Sequence, residues 1–158
     1  MMLIVLLALL SEATVPSIAI EQSGRENEFG EAAAVCASAL QPGGIDTAKL
    51  KQRGWIELSQ RIKSAHGWQR NSISINYTEM FGGFCVIGGN SELADMPLIE
   101  ESMKISVGQA VGADVVEYDG VVTPDANRPM KTYFTKNLRI TQSFDITSSK
   151  AMLSFKVD

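Results

Sequence analysis

The chain has 158 residues, a length that suits one domain with an adequate core. Its 14 basic and 18 acidic residues give a net charge of −4 without charge blocks, too weak and too mixed to call for a nucleic-acid or anionic-membrane partner. Two cysteines and one histidine are too few for a cysteine and histidine metal centre, and no internal repeat or low-complexity run points to a solenoid or fibrous class.

Residues 1–19, MMLIVLLALLSEATVPSIA, are laid out as a secretory signal peptide. Eight apolar residues, Leu3 to Leu10, precede polar and turn-forming residues and then Ser17 and Ala19 as a small-residue cleavage site. A membrane span takes about 20 apolar residues, so no permanent membrane span is expected and the product is read as exported, periplasmic or secreted. No Lys or Arg precedes the apolar run, so the amino terminus supplies the positive charge or the true start lies upstream. Residues 20–158 then form a single domain.

In the first element Phe29, Ala32, Ala33, Cys36 and Leu40 fall on one helical face, with Ser23 and Glu26 as a capping box and Pro42, Gly43 and Gly44 as the stop. Cys36 therefore points inward. A two-turn helix follows, with Asp46 as N-cap, an Ile45 to Leu50 staple and Gly54 as its left-handed stop. Segment 55–66 fits a helix through Trp55, Leu58, Ile62 and Ala65 and a strand through Ile56 and Leu58. The early Glu57 and the later Arg61, Lys63 and His66 favour the helix, ending at Gly67.

From Asn71 the period changes to two. Ile73, Ile75 and Tyr77 alternate with polar residues, Gly82 and Gly83 turn the chain, and Phe84 to Ile87 return as a buried strand, giving a hairpin. Pro97 suits the first turn of the next helix, with Ile99, Met103, Val107 and Ala110 inward and Gly112 as the stop. A short strand at 114–118 and a turn-rich loop, GVVTPDANRP, come next. Phe134, Leu138, Ile140, Phe144 and Ile146 then hold even positions while Tyr133, Thr135, Arg139 and Thr141 hold odd ones, which reads as one long strand with a solvated face. Residues 151–157 alternate again and close a C-terminal β-hairpin. The sum is an α+β fold: a mostly antiparallel sheet of about five strands with helices packed on one face.

The stretch FGGFCVIGGN, residues 81–90, has part of the spacing of a phosphate loop but Gly89 and Asn90 where the lysine and hydroxyl belong. A thiol nucleophile at Cys85 would need His66 as its base, and a serine nucleophile would need the same histidine; no G-x-S-x-G elbow occurs. Asp95, Glu100 and Glu101 lie near a helix N-terminus, where carboxylates serve the macrodipole. No catalytic residue, metal ligand or cofactor is assigned. Cys36 on an inward helix face and Cys85 in a buried strand of an exported chain are instead expected to form a disulfide. Trp55 and Trp68 read as core anchors, and Asn76-Tyr77-Thr78 matches the glycosylation sequon. Tyr133, Thr135, Arg139 and Thr141 on the solvated face are the candidate binding residues. The functional expectation is an exported, non-enzymatic binding or accessory module that takes a protein or small-molecule partner through this face or the 119–129 loop. The alternatives are an exported hydrolase using Cys85 or a serine with His66, and a structural or assembly subunit of the cell envelope.

Overall fold

The computed structural model of the chain describes residues 18–59, 65–119 and 128–158, without the side chains of residues 18–23 and 81. Its helices are α1 (Ile18–Ala39), α2 (Thr47–Gln52) and α3 (Met96–Val111). Its strands are β1 (Ile56–Leu58), β2 (Ala65–Arg70), β3 (Ile73–Thr78), β4 (Phe84–Asn90), β5 (Val116–Glu117), β6 (Met130–Thr135), β7 (Leu138–Asp145) and β8 (Lys150–Val157). The α+β class holds, with eight strands among the described residues rather than about five. They form one antiparallel sheet in the order β1-β2-β3-β4-β8-β7-β6-β5.

That order divides the chain into two halves of the same plan. Each is a helix followed by a four-strand meander, α1 with β1 to β4 and α3 with β5 to β8, and the halves meet where β4 pairs with β8. No repeat is legible in the sequence because helix and hairpin patterning can recur without residue identity.

Both long helices lie on one face of the sheet. The Ala stripe expected on α1 is there: Phe29, Ala32, Ala33, Cys36 and Ala37 are buried, and so small a face lets the helix lie close to the strands. Gly89 supports this, since a Cβ there would stand 2.9 Å from the tip of the Phe29 ring. The helix begins upstream of Ser23, so Ser23 and Glu26 sit within it and do not cap it. The expected signal peptide lies almost wholly outside the described residues. In α2 the Asp46 carboxylate accepts from the Lys49 amide at 2.9 Å, and Leu50 is buried. In α3 Ile99, Met103 and Val107 are buried and Gly112 closes the helix at φ +67°, while Ala110 faces solvent.

Two sequence expectations fail here. Segment 55–66 is not a helix: Ile56–Leu58 is an edge strand and Ala65–Arg70 pairs along its length with β3, residues 60–64 lying outside the description. The three-four spacing of Trp55 and Leu58 is fortuitous, since Trp55 is buried and Leu58 stands on the opposite, exposed side. Pairing with an existing hairpin outweighs a weak helical pattern, as context commonly does. The long strand of residues 133–146 is in fact two strands, β6 and β7, joined by a two-residue turn at Lys136 and Asn137. Thr135 is paired opposite Leu138, so the turn reverses the parity of every residue before it.

The Cys36–Cys85 disulfide forms as expected, joining α1 to β4 with a Cα separation of 5.5 Å. Trp55 and Trp68 are both buried, as core anchors should be.

Candidate functional site

Among the described residues, nothing covers the sheet face turned away from the helices. Alternation along each strand and the strand registers decide what lies there. One cross-strand row runs Phe134, Arg139, Lys156, Phe84, each directly opposite the next. The neighbouring row runs Thr132, Thr141, Ser154, Val86, Asn76, Gly67, and the one beyond it Met130, Ser143, Met152, Gly88, Ser74, Gln69; neither carries a charge. Tyr118, whose amide bonds to the Thr132 carbonyl, stands edge-on to Phe134 with ring centres 5.6 Å apart.

These residues line a shallow depression of about 540 Å³ on β4, β6, β7 and β8, together with Thr132, Thr141 and Ser154. Phe84 and Tyr118 keep 39% and 53% of their surface in solvent, so the walls hold aromatic area that the core does not use. Arg139 is ion-paired to Asp158 at 3.3 Å in an exposed contact, and Lys156 has no ion-pair partner among the described residues. Lys156 thus stands between Arg139 and Phe84 in the row.

The four binding residues expected from the sequence divide between the two faces. Arg139 and Thr141 lie in the depression. Tyr133 and Thr135 lie on the helix side because of the turn at 136–137, and both are buried. The Tyr133 hydroxyl donates to Gln142 Oε1 at 3.0 Å, and Gln142 Nε2 donates to the Met96 carbonyl at 3.1 Å, tying the start of α3 to the sheet. Burial, together with the negative charge of Glu100, pushes the Tyr133 hydroxyl far above its ordinary value, so it serves as a fixed neutral donor. Of the residues missed in the sequence, Phe134 and Thr132 follow once Lys136-Asn137 is read as a turn, because the parity reversal sends them outward, whereas Phe84, Ser154 and Lys156 are brought in by the pairing of β8 with β4 and β7, and Tyr118 by its bond to Thr132.

His66 shares an inward row with Tyr77 and Cys85. Its ring stacks near Trp68 at 5.9 Å and tilts toward Tyr77 at 6.5 Å. Both cysteines are held in the disulfide, so Cys85 offers no thiol to this histidine in the oxidised protein. Asn76, the sequon asparagine, is exposed on the outer face. The 119–129 loop is mostly outside the described residues. Among the described residues no cluster of three metal-ligating side chains occurs, and no helix is long and apolar enough to cross a membrane.

A larger depression of about 610 Å³ lies on the other side of the molecule between α1, α2 and α3. Two of its charges satisfy each other, Glu31 bridging Arg53 at 3.2 Å and also Arg70 at 2.7 Å, with Arg70 4.7 Å over the Trp55 ring, while Lys49, which also lines it, has no ion-pair partner among the described residues. These contacts bind α1 to the β1–β2 corner. Burial by itself raises the Glu31 carboxyl, but hydrogen bonds and charge from Arg70 and Arg53 outweigh it and hold the group below its ordinary 4.5. The stabilisation is therefore present above pH 4.5 and lost as pH falls through the lower folded value. Glu31→Gln is expected to reduce the loss of melting temperature between pH 5 and pH 3 relative to the parent; an unchanged acid slope would show that the cluster carries no linkage.

No protein-family model matches the chain, and comparisons with curated proteins and with solved structures found no match.

Proposed function

We propose that this chain is an exported, non-enzymatic binding module, stapled by the Cys36–Cys85 disulfide, and that the uncovered sheet face is its recognition surface. The observation that carries the reading is the row Phe134, Arg139, Lys156, Phe84. It sets two cations side by side between aromatic residues on a rigid surface that the core leaves exposed. A buried disulfide, at home in an oxidising compartment, and the leader-like residues 1–19 support export. Sheet faces hold side chains in fixed register, which lowers the ordering cost of binding.

The test is amide chemical-shift mapping of the protein against a panel of an acidic oligosaccharide, an acidic peptide and anionic lipid vesicles. The proposal expects at least one ligand to shift residues 84, 132, 139, 141, 154 and 156. Shifts confined to the α1, α2 and α3 groove, or no binding across the panel, would reject it.

A further inference from the structure

Resting on the reading of the outer face as the recognition surface, we infer that its ligand is an acidic polysaccharide segment, laid across strands β6, β7, β8 and β4. The charge is the first reason. Arg139 and Lys156 are direct cross-strand neighbours on a chain of net charge −4, and the next two rows toward Met130 and Met152 are uncharged. A carboxylate-bearing ligand is complementary to that pair, whereas nucleic acid, which is held through many phosphate contacts, is not served by two cations.

The second reason is shape. Phe134 and Phe84 bracket the cations at the two ends of a line crossing three strand spacings, about 14 Å. Aromatic side chains at both ends and the hydroxyls of Thr132, Thr141 and Ser154 alongside match a chain of sugar rings, each with an apolar C–H face and hydroxyl-bearing edges. The third reason separates a saccharide from a peptide. Peptides bind sheets by adding a strand at an edge or by sinking anchor side chains into pockets. Strands β4, β8, β7 and β6 are paired on both sides over this site, so their backbone groups are already used, and the depression is shallow.

Asp158 supplies a sign test. Its carboxylate occupies Arg139 at 3.3 Å and competes with an anionic ligand. Asp158→Asn is expected to tighten binding roughly two- to five-fold, a gain that misfolding cannot imitate.

The experiment is calorimetric titration with hexagalacturonate, its methyl-esterified counterpart and hexaglutamate, with amide shifts recorded for each. Hexagalacturonate is expected to bind on residues 84, 132, 139 and 156, and the ester roughly ten-fold or more weakly. Lys156→Gln and Phe84→Ala are each expected to weaken the acid form about five-fold, the lysine variant without changing the melting temperature. Hexaglutamate binding as tightly on the same residues would replace the saccharide by an acidic peptide and leave the recognition face standing. Hexagalacturonate shifts confined to the helix groove would overturn both. Absence of hexagalacturonate binding at millimolar concentration would overturn this inference alone, the face then being judged by the other panel ligands.

Discussion

Replacing Cys36 and Cys85 together by alanine is expected to lower stability by about 4 kcal/mol and the melting temperature by on the order of 10 °C. The bond spans a sequence separation of 49 residues, and on the chain-entropy view a loop of that size restricts the unfolded chain considerably. Both cysteines are fully buried, one on the Ala-rich face of α1 and one in β4, the strand through which the two halves of the sheet meet. The bond therefore ties the helix layer to the centre of the sheet. Urea unfolding of the parent and the double alanine variant measures the difference. A loss under about 1 kcal/mol would mean that the bond constrains nothing that packing has not already fixed.

Gly30→Ala is expected to destabilise by about 1–3 kcal/mol, opposite in sign to the usual gain from replacing a helix-interior glycine. Gly30 lies where α1 crosses α3. A Cβ there would stand 2.2 Å from Ser102 Oγ, 2.8 Å from Ser106 Oγ and 3.0 Å from the Ser102 carbonyl oxygen. The serine hydroxyls can rotate, but the carbonyl belongs to the α3 backbone, so the helices must move apart. Gly24, in the same helix with nothing within 4 Å of its notional Cβ, is the control and is expected to gain about 0.5–1 kcal/mol as alanine. A gain at both positions, measured by thermal unfolding, would show that α1 and α3 are not in close contact at Gly30.

The parts of the fold that follow from short-range chemistry are legible in the residues. The Asp46 cap, the Gly112 stop after α3, the inward faces of α1 and α3 and the Ile73 to Ile87 hairpin each rest on one strong local signal. So does the disulfide, since an inward helical cysteine and a buried strand cysteine are each placed by local patterning. The errors arise where two patterns overlap. Trp55 and Leu58 mimic a helix although only one is buried, and the choice between helix and strand is made by pairing with β3, a tertiary fact. The odd and even alternation from Tyr133 to Ile146 is broken at Lys136, a charged residue at an apolar position, but Lys136 and Asn137 form a turn without glycine or proline to mark it. That single turn moves Tyr133 and Thr135 into the core and brings Phe134 and Thr132 out beside Arg139 and Thr141. The candidate site was therefore half legible. Its far wall, Phe84 and Lys156, depends on the pairing of β4 with β8, which joins residues 72 positions apart in the chain and leaves no local trace.

That the uncovered sheet face is where the protein meets its partner is tested most directly by two charge reversals measured side by side. Lys156→Glu places a negative charge in the aromatic and cationic row, and Lys49→Glu does the same in the groove between the helices. Both lysines lie at the surface, so neither reversal is expected to disturb folding. With each ligand that the parent protein takes from the panel, Lys156→Glu should weaken binding by about ten-fold or more while Lys49→Glu leaves it within about two-fold. Binding that survives Lys156→Glu and is lost in Lys49→Glu would contradict the assignment and move the recognition surface to the helix side.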